Sequence, residues 1–260
     1  MSADLLLSAH GVRKEFGGLV AVQDVDFEVP RGSITALIGP NGAGKTTFFN
    51  MLTGAYKPTA GEIVFDGQEI AGLPQHQITA LGIGRTFQNI RLFGTMTSLE
   101  NTLVGMHCRM HSGVFRSIVR SRLQRREEAE AREKAKALLA YCGLAKRVED
   151  EYARNLAYGD QRRLEVARAL ATDPKLLLLD EPTAGMNPQE TQAFTDFVRK
   201  VRDERSLTVL LIEHDMRVVL GVSERVTVLD HGEKIAEGLP TDVTANERVR
   251  EAYLGTRATG

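Results

Sequence analysis

The most constraining feature of the chain is the glycine-rich segment Gly39–Thr47, which reads GPNGAGKTT. Its spacing satisfies the pattern G-x-x-x-x-G-K-[ST], in which glycines let backbone amides approach a polyphosphate. The preceding run, Ser33 to Ile38, is short and largely apolar, and Lys45 opens a helical run that ends near Thr53. A strand, a phosphate loop and a helix in this order predict a nucleotide-binding α/β fold.

The residue types in this loop indicate how a nucleotide would bind. Backbone amides and the helix N-terminus supply partial positive charge for the phosphates of ATP. We expect Lys45 to reach the β- and γ-phosphates and Thr46 to ligate Mg²⁺. A glycine-rich turn with a surface lysine is the alternative, and the strand and helix in register favour the phosphate site. The loop residues expected to contact ATP are Gly39, Asn41, Gly42, Ala43, Gly44, Lys45, Thr46 and Thr47.

Composition narrows the class of protein. The chain has 260 residues, enough for one or two domains, and its 33 basic and 34 acidic residues give a net charge of −1. This balance gives no electrostatic reason to expect a nucleic-acid partner. Cys108 and Cys142 follow no metal-binding spacing, so a reduced, cytoplasmic setting is expected. Apolar runs such as Leu176–Leu179 fall far below the roughly 18 residues of a membrane span, so any membrane role is expected to act through a partner.

Four further polar residues lie at or just after the ends of predicted strands. Leu176–Asp180 is an apolar strand, and we expect Asp180 to hold the hydration shell of Mg²⁺ and Glu181 to take a proton from the attacking water. His214 follows a second buried strand and is expected to hydrogen-bond the γ-phosphate or water. Gln88 follows a short strand and is expected to bind metal or water, although a glutamine there is more often a turn residue.

The chain changes character in its middle. Strands and helices alternate on both sides of a helical stretch from about Asn89 to about Asn155. This alternation predicts a largely parallel sheet covered by helices, and the stretch is expected to be a helical subdomain inserted into it. We therefore expect one domain, with residues 1–88 and 156–260 as its α/β core and 89–155 as the insertion.

A second anion site is expected after the insertion. The stretch Asn155–Arg163 precedes a helix, and Gly159 with the helix N-terminus offers backbone amides and a favourable dipole. This site is not expected to face its own phosphate loop across the insertion, so we expect it to face the loop of another copy.

Taken together, the motifs resemble those of ATP-binding-cassette ATPases. They run along nearly the whole chain in the family's order: Phe16, the loop Gly39–Thr46, Gln88, Leu156–Gln161, Leu176–Glu181, Ala184–Asn187 and His214. The resemblance implies an α/β P-loop NTPase fold with a mostly parallel sheet core, an antiparallel β subdomain and the inserted helical subdomain. It implies an ATPase that uses ATP and Mg²⁺.

The resemblance is closer still to ATPase subunits of importers for branched-chain and other hydrophobic amino acids. The stretches that carry it are RTFQNIRLF at Arg85–Phe93, NLAYGDQRRLEVARAL at Asn155–Leu170, IEHDM at Ile212–Met216, REAYLG at Arg250–Gly255 and the long insertion around Gly105–Arg126. The implied partners are a second ATPase subunit, identical or related, integral membrane permease subunits and, indirectly, a substrate-binding protein. The implied location is the cytoplasmic face of the plasma membrane.

Residue by residue, the resemblance implies that Phe16 stacks on adenine and that Ala157 and Gly159 face the ATP of the opposite subunit. Two positions depart from the family pattern. Ala157 lacks the hydroxyl that usually touches the γ-phosphate, so contact would rest on the Gly159 amide. Asn187 replaces an aspartate, and Asn187-Pro-Gln-Glu also reads as a helix N-cap with a capping box.

Other functions remain open from the sequence. Alternatives are an importer for urea or amides, a lipid exporter, a soluble ATPase of iron–sulfur assembly, and a chromosome- or ribosome-associated ATPase. The apolar residues after Gln88 favour a permease partner, since they exceed the needs of a small core and part of the cluster should be exposed. These residues are Phe87, Ile90, Leu92, Phe93, Met96 and Leu99.

Overall fold

The structure is a computed structural model that describes residues 4–106, 122–144 and 146–255. It contains two compact units. The first unit combines Met1–Ile78 with Lys175–Gly260, and the second is Thr79–Pro174. Cys108 and most of the insertion expected around Gly105–Arg126 lie outside the described residues.

An antiparallel sheet begins the first unit. Its strands are β1 (Leu5–Phe16), β2 (Leu19–Pro30), β4 (Ala60–Phe65) and β5 (Gln68–Glu69), in the order β2-β1-β4-β5. The sequence predicts strands only at Leu5–Val12 and Val25–Val29, so β1 and β2 are longer than expected. Irregularities in their register, near Gly11 and Asp24 with positive φ, interrupt the side-chain alternation of both strands.

The second sheet of this unit is mostly parallel, as predicted. Its strands are β3 (Ile34–Ile38), β7 (Leu176–Asp180), β8 (Thr208–Ile212), β9 (Arg225–Asp230) and β10 (Glu233–Gly238), in the order β10-β9-β3-β8-β7. Strands β9, β3, β8 and β7 are parallel, and β10 is antiparallel to β9. Ile212 pairs with both Leu37 and Asp180, so the carboxyl ends of β3, β8 and β7 meet at one edge. Ligands bind at such an edge in open α/β sheets.

Helices accompany these strands. They are α1 (Lys45–Leu52), α6 (Pro188–Arg205), α7 (Met216–Val222), α8 (Pro240–Ala245) and α9 (Glu247–Gly255), while α2 (Gln75–Leu81) crosses the boundary between the units. Helix α6 starts with the expected capping box, because the Asn187 side chain accepts from the N–H of Gln189 and Glu190, and the Glu190 side chain accepts from the N–H of Asn187. The amide oxygen of Asn187 is therefore used within its own helix.

The second unit is mainly helical. It contains β6 (Ile83–Arg85), α3 (Ser98–Met106), α4 (Arg122–Tyr141), α5 (Tyr158–Leu170) and two 3-10 turns, Lys146–Val148 and Ala153–Asn155. The expected insertion was 89–155, whereas this unit also includes α5, because α5 packs closely on α3. At their contact a Cβ on Gly105 would lie 2.3 Å from the Arg168 carbonyl oxygen. Within residues 4–106, 122–144 and 146–255, no helix is long and apolar enough to span a bilayer.

Candidate nucleotide-binding site

The phosphate loop connects the end of β3 to α1. The Lys45 ammonium donates hydrogen bonds to the carbonyl oxygens of Gly39 at 2.7 Å and Pro40 at 2.8 Å. Burial lowers the pKa of Lys45, whereas the nearby charges of Glu181 and Asp180 oppose that shift. A cation held in a low-dielectric position attracts a phosphate more strongly than an exposed lysine does.

Glycine is required at two positions of this loop for steric reasons. A Cβ on Gly39 would lie 2.1 Å from the carbonyl oxygen of Leu229, and a Cβ on Gly44 would lie 2.5 Å from that of Ala21. Both glycines have positive φ, 149° and 93°. At Gly42, by contrast, an added Cβ would meet nothing within 4 Å, so this part of the loop is open to a ligand.

Of the remaining loop residues, one is buried and attaches the loop to the protein interior, and the others are exposed or half-buried. Ala43 is buried, and its carbonyl oxygen accepts a hydrogen bond from the N–H of Gly232 at 3.1 Å. Asn41 and Thr46 are exposed, and Thr47 is half-buried in the first turn of α1. The loop is thus anchored from behind while its polar side chains remain accessible.

The acidic residues predicted to follow β7 lie close to Lys45, since both of their charges act on its ammonium. Asp180 is the last residue of β7 and is 3% exposed. Glu181 adopts a positive φ of 45°, and its N–H donates to the carbonyl oxygen of Ile212 at 3.0 Å. A non-glycine residue in this conformation is strained, and such strain is often found at functional positions.

His214, just after β8, lies beside Glu181, just after the neighbouring strand β7. Its Nδ1 is 3.7 Å from Oε2 of Glu181, and its side chain is 60% exposed while that of Glu181 is 18% exposed. A carboxylate can accept a proton from water, and an imidazole can hydrogen-bond a phosphate oxygen. The arrangement therefore brings together a base, a hydrogen-bonding imidazole and a buried cation.

The donor set fits Mg²⁺ bound mainly by nucleotide and water. Among the described residues there is no group of three or more His, Cys, Asp or Glu side chains that could enclose a metal. Thr46 and Asp180 supply one hydroxyl and one carboxylate. Mg²⁺ commonly takes one or two protein oxygens and completes its octahedron with phosphates and water.

A fully buried carboxylate behind this site was missed by the sequence reasoning. Oε1 of Glu213 accepts from the N–H of Thr183 at 3.1 Å and from its hydroxyl at 2.6 Å. Oε2 accepts from the N–H groups of His214 at 3.2 Å and Asp215 at 3.5 Å. Glu213 thus links the segment after Glu181 to the segment carrying His214. A polar residue ending an apolar strand was the only available signal.

The predicted adenine-stacking residue lies at the end of β1. Phe16 is 41% exposed, its ring contacts that of Tyr56 edge-on at 5.3 Å, and Lys14 Nζ lies 4.8 Å from its centroid. An exposed ring fixed by two neighbours offers a face for a planar base. Tyr56 was not singled out in the sequence.

Helix α9 lies beside the phosphate loop. Burial raises the pKa of the Tyr253 phenol to about 12, while the nearby Gly39 backbone opposes the increase. A cavity of about 620 Å³ is lined by Asn41 and Gly42 of the loop and by Arg248 and Glu251 of α9. The sequence reasoning assigned no role to Tyr253.

The other predicted site residues belong to the second unit. Ala157 is exposed and is the N-cap of α5, with no side-chain hydrogen bond to the helix. An added Cβ on Gly159 would meet nothing within 4 Å. Gln88 is exposed, and its carbonyl oxygen accepts from Arg162 of α5 at 2.5 Å. The structure therefore brings the Gln88 segment and the helix that follows Ala157 together within this unit.

The apolar cluster after Gln88 is partly exposed, as expected. Phe93 is 47% exposed, whereas Leu99 is 4% exposed and belongs to the core. Arg168 lies over the Phe93 ring at 5.6 Å. Tyr152, which pairs with Thr97 in an isolated bridge, adds a second exposed ring at 46%.

Comparison with known proteins agrees with this geometry. Residues 22–184 match the family described as ABC transporter, and residues 233–259 match the family described as branched-chain amino acid ATP-binding cassette transporter. The chain is 47% identical over 250 residues to the high-affinity branched-chain amino acid transport ATP-binding protein LivG of Escherichia coli (strain K12), covering 96% of this chain and 98% of LivG.

Two solved structures are also similar. One is the ADP conformation of MJ1267, an ATP-binding cassette of an ABC transporter, with a TM-score of 0.83, 31% identity and coverage of 96% of this chain and 99% of that one. The other is a dimeric post-hydrolysis state of the cassette MJ0796 bound to ADP and Pi, with a TM-score of 0.77, 26% identity and coverage of 90% and 98%.

Proposed function

The chain belongs to the ABC transporter family and is an ATP-hydrolysing subunit, and from this premise we propose that it powers a membrane importer for branched-chain amino acids. The observation that carries the proposal is the group of Lys45, Asp180, Glu181 and His214 around one phosphate loop. The cargo is inferred from LivG and from the family match of residues 233–259.

In this proposal, backbone amides of Gly42–Thr47 and the Lys45 ammonium bind the phosphates of ATP. Thr46 and Asp180 would hold Mg²⁺, which would neutralise charge on the phosphates. Glu181 accepts a proton from the attacking water, His214 hydrogen-bonds the γ-phosphate, and Phe16 stacks on adenine. The exposed Gly42 and the buried Lys45 support this assignment.

A second ATPase subunit completes the site. We infer that Ala157 and Gly159 face ATP bound by the opposite subunit, identical or related, because similar cassettes form dimers. Ala157 offers no hydroxyl, so the contact depends on the Gly159 amide and the N-terminal dipole of α5. The open space around Gly159 is compatible with close approach of a ligand.

In this proposal, the chain attaches to the membrane by binding a permease. The rings of Phe93 and Tyr152 are exposed, and their segments are joined by hydrogen bonds from the N–H of Ala153 to Met96 and of Arg154 to Gly94, so this face offers apolar surface suited to a helix of integral membrane permease subunits. The ATPase would then work at the cytoplasmic face of the membrane, and a substrate-binding protein would be linked to it only through the permease.

The chemical part of the proposal is tested by Glu181→Gln. This variant should bind ATP normally but hydrolyse it very slowly, and ATP should trap it as a dimer, because the base is lost while the phosphate loop is intact. ATP binding by titration, phosphate release and size-exclusion with light scattering give the three readouts. Glu204→Gln, at an exposed position of α6, is the matched control. Near-normal turnover in Glu181→Gln would remove Glu181 from the role of base.

The transport part is tested by uptake in cells. Deletion of the gene should lower uptake of labelled leucine, isoleucine and valine but not of urea, and the wild-type gene should restore it. Phe93→Asp should fail to restore uptake and to co-purify with the permease, whereas Leu220→Asp, equally exposed at 47% on α7, should behave as wild type. Unchanged uptake of all three amino acids after deletion would contradict the proposed cargo.

A further inference from the structure

Helix α5 contains an ion pair that is almost completely buried. Arg162 and Glu165 lie one turn apart, with side chains 4% and 1% exposed, and Nη1 of Arg162 is 3.3 Å from Oε2 of Glu165. Burial raises the pKa of the Glu165 carboxyl, while the Arg91 N–H and the Arg162 charge oppose the increase. Removing two charges from water is costly unless further hydrogen bonds compensate.

Four of those further hydrogen bonds reach one segment, Phe87–Arg91. Oε1 of Glu165 accepts from the backbone N–H of Phe87 at 3.2 Å and of Arg91 at 3.3 Å. The guanidinium of Arg162 donates to the carbonyl oxygens of Phe87 at 2.7 Å and Gln88 at 2.5 Å. The pair therefore binds two N–H groups and two carbonyl groups of a segment more than 70 positions away in sequence.

Side chains along the segment strengthen this attachment. The guanidinium groups of Arg85 and Arg91 lie over the ring of Phe87, at 5.0 and 4.5 Å from its centroid. Next along the chain, the buried Asn101 of α3 accepts from the N–H of Phe93 at 2.9 Å and donates to its carbonyl oxygen at 3.1 Å. The backbone on both sides of the exposed Gln88 side chain is thus bound by buried polar groups of α5 and α3.

The Arg162 side chain also reaches the beginning of its own helix. Its Nη2 donates to the hydroxyl of Tyr158 at 3.0 Å, and Tyr158 directly follows the N-cap Ala157. One guanidinium therefore contacts both the first turn of α5 and the carbonyl group of Gln88.

We propose that Arg162 and Glu165 are positioning residues that make the Gln88 segment and the first turn of α5 move as one body. A pair that served only to fill the core would be replaceable by apolar side chains of similar volume. Here such a replacement leaves four main-chain groups of Phe87, Gln88 and Arg91 without these partners, so the segment loses its fixed conformation.

The consequence for the transporter rests on the proposed function. Gln88 precedes the exposed Phe93 patch proposed for the permease, and Ala157 and Gly159 are proposed to face the ATP of the other subunit. Because the Gln88 segment and the first turn of α5 are rigidly connected, movement of the permease and movement of the α5 N-terminus relative to ATP occur together. The two residues contact neither nucleotide nor permease in this scheme and act through the segment.

Hydrogen exchange in the isolated chain tests the positioning role without a permease. Glu165→Gln and Arg162→Met should increase exchange at the Phe87 and Arg91 amides about 10- to 100-fold, the effect of losing a hydrogen bond to a charged group. Arg162→Lys, which keeps the charge but not the forked donors, should give a smaller increase.

Arg163→Met is the matched control on the same helix, because Arg163 donates to the Gly143 carbonyl instead. Unchanged exchange at Phe87 and Arg91 in a folded Glu165→Gln protein overturns the proposal, and so does an equal increase throughout α3 and α4.

The assembled transporter provides a second readout that core stability would not affect. The double variant Arg162→Met/Glu165→Met is assayed at a temperature where it is folded, and there permease-stimulated ATPase activity should fall at least about tenfold towards the unstimulated rate. Stimulation at the wild-type level in this variant overturns the proposal. If the wild-type chain itself assembles with no permease, the proposed function fails, and the exchange measurement still decides the role of the pair.

Discussion

Replacement of Glu213 by glutamine tests how one buried carboxylate fixes the geometry of the proposed catalytic residues. Glu213 is 0% exposed and accepts hydrogen bonds from Thr183, His214 and Asp215. Thr183 follows Glu181 closely in the chain, and His214 directly follows Glu213. The carboxylate therefore sets the separation between the strand ends that bear the proposed base and the proposed γ-phosphate contact.

The size of the effect follows from the donors that lose their acceptor. The glutamine oxygen can still accept from the N–H and hydroxyl of Thr183, but its NH₂ group then faces the N–H groups of His214 and Asp215. The bond from His214 is 3.2 Å and that from Asp215 is weaker at 3.5 Å. Since a hydrogen bond to a charged group contributes about 1.5–3 kcal/mol, the free energy of unfolding should fall by about 3 kcal/mol. For a chain of this size that lowers Tm by about 6–12 °C.

ATP hydrolysis should decrease as well, measured as steady-state phosphate release at a temperature where the variant is folded. A displacement of about 1 Å near reacting atoms lowers a rate about 10²-fold, so we expect kcat to fall about 10- to 100-fold. The KM for ATP should change less than about threefold, because the Lys45 ammonium is fixed by Gly39 and Pro40 instead.

A double variant identifies the route by which Glu213 acts. If it works by placing His214, then Glu213→Gln combined with His214→Ala should lose little more activity than His214→Ala alone. Glu204→Gln should leave kcat and Tm unchanged. Independent, additive losses in the double variant, or a normal kcat in Glu213→Gln, would refute the reasoning.

Three further outcomes are expected. Lys45→Ala should weaken ATP binding and lower turnover by about 10²-fold, because one preorganised charge is lost, and equal affinities by titration would count against the phosphate site. Because the proposed site needs two subunits, turnover of the wild type should rise more than linearly with protein concentration, and Gly159→Asp should abolish this rise. The variant should still bind ATP, since a Cβ at position 159 has open space. Wild-type activity strictly proportional to concentration would contradict this. Lys175 and Arg31 lower the pKa of Asp66, so this carboxylate stabilises the fold above its unfolded pKa of about 3.9 and loses the effect as pH falls through its folded value. Asp66→Asn should therefore lower Tm at pH 7 but not in strong acid, and an equal difference at both pH values would exclude the mechanism.

Local patterns were enough to predict the elements that depend on neighbouring residues. The capping box expected at Asn187 is confirmed, because a helix cap is specified within a few positions. The apolar runs predict buried strands at Leu207–Glu213 and Leu176–Asp180, and the structure has them at Thr208–Ile212 and Leu176–Asp180. The phosphate loop was predicted because its glycines and lysine have a fixed spacing.

Element limits and buried charges were harder to predict. The hairpin of β1 and β2 was shortened in the prediction, because bulges displace side chains from strict alternation. Glu165 and Glu213 carry charges that hydropathy patterns assign to the surface, and their burial depends on donors 30 or more positions away. Only the folded chain shows that these donors converge on a carboxylate.

The carboxylates of Glu213 and Glu165 bind different backbone segments, so their replacement should affect different ATPase rates. Glu213 binds main-chain groups next to the proposed base and γ-phosphate contact, so its loss should slow hydrolysis with or without a permease. Glu165 binds the segment between Gln88 and the permease patch, so its loss should lower stimulation by the permease more than unstimulated hydrolysis. Because each carboxylate accepts backbone N–H groups, an uncharged replacement disturbs the loop before it unfolds the core. The ratio of stimulated to unstimulated ATPase activity should therefore fall in Glu165→Gln and stay near the wild-type value in Glu213→Gln.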